Sequence, residues 1–159
     1  MNQVDPLLAK VAVPGSPFEI GARDGLRQFV NAPPDLNQLI ENARAHGDKT
    51  FIVEGERRLT FNEVFAWRDR LVARLGIARG ERVAICMRNR AEWMVAFLAV
   101  VRVGGVAALL NSRGSPQELV AMIEEVSPSL VSADSERAGV IRQDNFTGRM
   151  AFPSDWCQK

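Results

Sequence analysis

The chain has 159 residues, of which 47% are apolar and 25% charged, and its net charge is +1. That is enough polypeptide for one domain with a core of its own, in the composition of an ordinary globular protein. The near-neutral charge argues against a nucleic-acid binder, which carries a basic excess or stripe. No apolar run is long enough to span a bilayer, and the N-terminus lacks a signal-peptide pattern. Cys86 and Cys157, the two cysteines, are far apart and form no metal spacing. Cys86 falls in a strand expected to be buried, which points to a core thiol in a reducing, cytoplasmic setting.

Five of the eight prolines lie between Met1 and Pro34, with glycines among them, which prevents long regular elements. Residues 1–35 therefore read as an extended N-terminal arm, anchored by Phe18, Ile20, Leu26 and Phe29. Leu36, Leu39, Ile40 and Ala43 recur at helical spacing, which predicts a short helix over Leu36–Ala45. Lys49–Glu54, the Gly55-Glu56 turn and Arg57–Thr60 predict a hairpin. Thr60 and Glu63 make a capping box. The helix it opens carries an apolar stripe of Phe61, Val64, Phe65, Trp67, Leu71, Val72 and Leu75, and Gly76 stops it. Arg68, Arg70, Arg74 and Arg79 read as a solvated face.

Arg82–Leu110 is the stretch around which the rest is organised. Val83–Met87 and Val106–Leu110 are continuous apolar runs, as in parallel strands covered on both faces. Between them Asn89 is placed to cap a helix with Glu92 early in it. From Trp93 to Val103 that helix has Arg102 as its one charge, and Gly104-Gly105 ends it. This is a β–α–β crossover, expected to be right-handed. Asn111-Ser112-Arg113-Gly114 is then a loop at a strand's carboxyl end. Ser115, Pro116 and Glu118 open the next helix, buried through Leu119, Met122, Ile123 and Val126. Ser129–Ala133 is a third strand, and Asp134 or Ser135 starts a helix reaching about Ile141. Arg142–Lys159 has no usable periodicity. The fold class is α/β: a parallel β-α-β-α-β core preceded by a small β-hairpin and an extended arm.

Open parallel sheets bind ligands beyond the carboxyl ends of their strands. Those ends are Arg88-Asn89, Asn111–Ser115 and Asp134-Ser135. No G-x-G-x-x-G or Walker sequence follows any strand, and no acidic cluster follows the first. His46, the single histidine, reads as a solvated helix-end residue. Neither cysteine has a histidine near it in sequence, and Trp93 is spaced with Phe97 and Val101 as core. Arg88 and Arg90, flanking Asn89, lean to solvent. Arg113 has two readings: a guanidinium beside small residues and an oncoming helix suits a phosphate, or it is an exposed loop arginine. No catalytic residue and no metal site emerge.

The phrases RRLTFNEV, GIARGERVAICMRNRAEW, GGVAALLNSR and SPQELVAMIEE closely resemble the N-terminal part of the adenylate-forming superfamily, which includes acyl-CoA and aryl-CoA synthetases. The likeness runs from about Leu36 to Asp134, and PGSPFEI resembles a segment of bacterial fatty-acid CoA ligases. It implies an enzyme that uses ATP and Mg²⁺ to activate a carboxylate as an acyl-adenylate and then passes the acyl group to CoA. The Ser/Thr/Gly-rich ATP loop with its lysine, the ribose-holding aspartate and the C-terminal lysine of that family do not occur in this sequence. The resemblance therefore implies that residues 36–141 are a partial N-terminal domain of an acyl-CoA synthetase, followed by a 142–159 tail of open structure. Such a chain would be catalytically incomplete, with no cofactor expected for it alone. Its partner would be the missing C-terminal part of the ligase, or a second copy meeting it through exposed apolar surface. By position, Arg113 matches an arginine that approaches the CoA phosphates in some family ligases. The alternative is a stand-alone acyl- or CoA-binding module, or a regulatory interaction module, whose core the tail completes through Phe146, Met150, Phe152 and Trp156.

Overall fold

The computed structural model describes residues 10–143, 146–155 and 157. They fall into two compact units divided after Leu39. In the first, β1 (Ile20–Arg23) and β2 (Leu26–Phe29) form an antiparallel hairpin with Ile20 opposite Phe29. The expected extended arm is thus folded back on itself. The cause is Asp24-Gly25, whose φ angles of 53° and 77° give the left-handed pair that a two-residue hairpin turn requires. Within this unit Leu26 is 70% exposed, and Phe18 and Phe29 are exposed as well. Phe18 and Phe29 meet each other edge-on, with centroids 6.3 Å apart. Helix α1 (Leu36–Asn42) begins where Asp35 Oδ1 accepts from the Gln38 amide at 2.7 Å.

In the second unit the predicted Leu36–Ala45 helix gives way to a 3₁₀ turn over Ala43–His46. β3 (Thr50–Glu54) and β4 (Arg57–Thr60) form the predicted hairpin. The Thr60–Glu63 capping box then opens α2 (Phe61–Leu75), and Gly76 closes it in the left-handed conformation. Next come β5 (Arg82–Cys86), α3 (Ala91–Arg102), β6 (Val106–Leu109), α4 (Pro116–Val126), β7 (Leu130–Ala133) and α5 (Ser135–Gln143). The strands are parallel, with Val83 beside Ala107 and Leu130.

Because side chains alternate across a strand, β5 feeds two cores. Val83 and Ile85 join Val64, Leu71 and Leu75 of α2 and Val95 and Ala99 of α3. Ala84 and Cys86 join Leu119 and Ile123 of α4 and Ile141 of α5. Arg68 is a correction. It is fully buried, ion-paired with Glu41 and Asp69, and its guanidinium lies 4.6 Å from the Phe65 ring. Its charge predicts a place in solvent, but its helical phase with Val64, Leu71 and Leu75 puts it on the inner stripe.

The tail carries a further strand. β8 (Met150–Ala151) pairs in parallel with β7, giving the sheet order β6-β5-β7-β8. Phe146, Met150 and Phe152 pack on the second core, and the Val131 amide donates to the Arg149 carbonyl at 2.9 Å. Arg149 also donates to the Leu75 and Gly76 carbonyls at 2.5 and 3.1 Å, satisfying the end of α2. Trp156 lies outside the described residues. Leu119 has no exposed surface, so Leu119→Ala should lower the unfolding free energy by about 2–5 kcal/mol. Urea denaturation of both proteins measures this.

Candidate functional site

At the carboxyl ends of β5, β6 and β7 the chain ties itself together through Asp134. This carboxylate is 2% exposed. Its Oδ1 accepts from the Arg137 amide at 2.8 Å, the bond of a helix cap, and its Oδ2 accepts from the Arg88 amide at 3.2 Å. Arg137, 8% exposed, donates from Nη1 to the Ser112 carbonyl at 2.9 Å and pairs with the Glu136 carboxylate. Cys86, at the end of β5, feels the charges of Arg137 and Asp134. Burial pushes its thiol up to about 11, with Arg137 drawing it down and Asp134 adding to the rise. Cys86 is therefore an inert core thiol, as its strand position predicts.

The Asn111–Ser115 loop is built from local bonds. Asn111 Oδ1 accepts from the Arg113 amide at 3.1 Å, and the Asn111 carbonyl accepts from the Gly114 amide at 3.0 Å. The Arg113 side chain is exposed and has no ion pair or hydrogen bond among the described residues. Ser115 and Glu118 form the predicted capping box of α4, with Pro116 at its first position. The hydrogen bonds from Ser115, its backbone N–H above all, hold the Glu118 carboxyl below the usual carboxylate range. Beside this loop is a cleft of about 350 Å³ lined by Asn111, Gly114, Glu118, Ala121, Met122 and Glu125. Its lining carries the Glu118 and Glu125 carboxylates, which do not favour an anion there.

A second cleft, of about 440 Å³, lies between β3 and the start of α3, lined by Ile52, Val53, Glu54, Asn89, Arg90, Ala91, Trp93 and Met94. Trp93 is half-buried there and stacks on Phe97 with centroids 5.8 Å apart, rather than sitting wholly in the core. Asn89 does not cap α3. The cap position is Arg90, which makes no side-chain bond to the helix. The charge of Glu92 meets the helix start instead. Glu92 is 5% exposed, accepts from Arg57 Nη1 at 2.8 Å and faces Arg90 Nε at 3.4 Å. Burial raises its pKa, but the Arg57 hydrogen bond, its own backbone N–H and the charges of Arg57 and Arg90 outweigh that. The net shift is downward.

The remaining sequence candidates stand apart from both clefts. Arg88 reaches Glu136 at 3.8 Å at the surface, and His46 is exposed with its ring 4.8 Å from Phe61. Sequence reasoning missed Arg137 and the Arg57–Glu92 pair. For Arg137 the spacing Asp134-x-x-Arg137 was the available signal, since a capping aspartate fixes the residue three positions on. For Arg57 and Glu92 there was none, because they are distant in sequence.

Among the described residues no group of three or more His, Cys, Asp or Glu is placed to hold a metal ion. None of their helices is long and apolar enough to cross a membrane. The fold is α/β, a parallel sheet flanked by helices with the Asn111–Ser115 loop at the carboxyl end of β6. The family model described as AMP-binding enzyme matches residues 39–150, and the chain belongs to that family. It is 32% identical over 114 residues to a 3-hydroxybenzoate–CoA ligase of an Aromatoleum species, covering 70% of this chain and 21% of that enzyme. It is 26% identical over 136 residues to the medium/long-chain-fatty-acid–CoA ligase FadD6 of Mycobacterium tuberculosis, covering 82% of this chain and 23% of that one. In structure it resembles the N-terminal domain of FACL13 from Mycobacterium tuberculosis, with a TM-score of 0.68 at 20% identity, covering 77% of this chain and 35% of that one. A benzoate CoA ligase from Burkholderia xenovorans gives 0.64 at 20% identity, covering 72% and 24%. The chain thus spans about a fifth to a quarter of the two curated ligases.

Because the Glu92 pKa is lowered on folding, its stabilisation is complete above the unfolded value and lost as pH falls through the folded one. Glu92→Gln should therefore be less stable than the parent at pH 7, and the gap should close as pH drops below ~4.3. Urea midpoints measured from pH 7 to pH 2 check this.

Proposed function

We propose that this chain forms a sheet layer of an acyl- or aryl-CoA ligase, lining part of its acyl and CoA sites, and does not catalyse the reaction alone. The observation that carries the reading is the family match over residues 39–150, together with an exposed Arg113 guanidinium, unpaired among the described residues, at the carboxyl end of β6. The related ligases act on a hydroxybenzoate or on fatty acids, so the substrate class is an aromatic or aliphatic carboxylate. In such a reaction adenylation turns a poor carboxylate leaving oxygen into a good one, and the CoA thiol then displaces it. The sequence has no glycine-rich phosphate loop for ATP and its Mg²⁺. They would be held by other parts of such a ligase. This chain's contribution is Arg113, a cation for a CoA phosphate, on a loop fixed by Asn111 and the α4 capping box.

The open side of the sheet supports a partner. Val106 and Leu109 of the edge strand β6 are 49% and 53% exposed. In this reading the remainder of the ligase covers them, and a second copy does so when that is absent.

Separate calorimetric titrations of CoA and of ATP·Mg²⁺ into the chain test the proposal. Heat is expected from CoA and not from ATP·Mg²⁺, and Arg113→Ala should weaken CoA binding about tenfold or more. Silence from CoA sinks the Arg113 assignment, and acyl-CoA formation by the chain alone sinks its incompleteness.

A second reading, an independent acyl- or CoA-recognition or regulatory module, is favoured by one observation. The tail closes the β7 edge with β8 and adds Phe146, Met150 and Phe152 to the core. A self-contained module requires slow amide exchange for Val131 and across Arg149–Ala151, matching the β5 amides. Fast exchange there returns the tail to the status of an appendage.

A further inference from the structure

The Asn111–Ser115 loop is anchored from behind by a buried charge, an expensive arrangement for an ordinary surface loop. Arg137 is 8% exposed. Its Nε has no hydrogen-bond partner among the described residues, and neither does Ser132 Oγ, also buried. A guanidinium withdrawn from water at this cost is stable only where its remaining donors are well placed. Nη2 meets Glu136 on its own helix, and Nη1 goes to the Ser112 carbonyl, the residue beside Arg113. Arg137 is itself oriented by Asp134, whose carboxylate takes the Arg137 amide on one oxygen and the Arg88 amide on the other. The ends of β5, β6 and β7 are thereby joined through two side chains.

We infer that Arg137 is the positioning residue of the Asn111–Ser115 loop, held by Asp134, and sets where Arg113 presents its guanidinium. The geometry follows from the bonds already given. Without the Nη1 bond, the hydrogen bonds left to the loop's side chains among the described residues are its internal Asn111 turn and the α4 capping box, neither of which ties Ser112 to α5. With it, Ser112 is fixed from α5, and the exposed Arg113 side chain leaves from a defined backbone. The ligand half of this inference rests on the CoA reading of Arg113. The loop half does not.

The test uses the full chain and two variants. Arg137→Met keeps comparable length and apolar volume while removing the charge and the orphaned Nε. Arg137→Lys keeps one donor for the Ser112 carbonyl. Backbone ¹⁵N order parameters are measured across the sheet and the loop. In the parent, residues 112–114 should sit near the rigid value of about 0.85. In Arg137→Met they should fall below about 0.6 while β5 and β7 stay rigid, with Arg137→Lys in between. Rigid loop values in Arg137→Met overturn the inference, and so does a loss of order shared equally by β5 and β7, which marks a merely structural residue. Should Arg137→Met not fold, the loop-against-sheet contrast in Arg137→Lys decides the matter by the same criterion. CoA titration then judges the ligand half. Arg137→Met should weaken CoA binding as much as Arg113→Ala, and the double variant should be no weaker than either single one. A loosened loop with unchanged CoA affinity overturns the coupling to Arg113. If the parent itself gives no CoA heat, the CoA reading fails, while the order parameters still judge the role of Arg137.

Discussion

The side chains of Val83, Ala84, Ile85 and Cys86 are wholly withdrawn from water, and the rest of the second unit is arranged around that fact. A strand buried on both faces needs parallel neighbours on each side and helices above and below. β6 and β7 are the neighbours; α2 and α3 cover one face, α4 and α5 the other. The turn into β6 shows how little slack this leaves. A Cβ on Gly105 would stand 3.0 Å from Ile77 Cδ1, 3.1 Å from Val100 Cγ1 and 3.2 Å from the Glu81 carbonyl. Glycine leaves room for the chain to pass from α3 to β6 so close to the strand it must join, and any side chain there would press on all three neighbours.

The charges that went inside each connect two elements. Glu92 ties the β3–β4 hairpin to the start of α3 through Arg57, whose guanidinium also lies 4.8 Å from the Trp67 ring. Arg68 ties α2 to Glu41, before the 3₁₀ turn. Arg137 ties α5 to the Ser112 loop. Removing one partner from such a pair costs more than the pair contributes, because the other is left buried and uncompensated. These contacts fix the relative placement of elements more than they add to net stability.

The central crossover was legible because its signals are local and redundant. Continuous apolar runs gave β5 and β6, and Thr60-x-x-Glu63 and Ser115-x-x-Glu118 gave the starts of α2 and α4. Where two signals competed, the weaker-looking one prevailed. Asp24-Gly25 turned a proline-spaced segment into a hairpin, and helical phase overrode charge at Arg68. β8 is too short for any periodicity to register, and its pairing is decided by the edge β7 offers. At the ligand end Arg113 was visible as a loop cation. For Arg137 the Asp134-x-x-Arg137 spacing marked only its backbone place, and its side-chain partner Ser112, on a different strand's exit, is not connected to it by any sequence spacing.

The parallel order β6-β5-β7-β8 also imposes a sequence of events on biosynthesis. When β5 leaves the ribosome neither of its neighbours has been made. Val83 finds Ala107 only after α3 has been synthesised, and Leu130 only after α4. Until then its apolar run is shielded chiefly by α2, the one covering helix that precedes it. Non-local pairing of this kind is slow and leaves hydrophobic surface open while it waits. α2 is thus a placeholder during translation as well as a wall of the finished core. Weakening its inner stripe would be felt as a lower yield of folded chain before it was felt as a lower melting temperature.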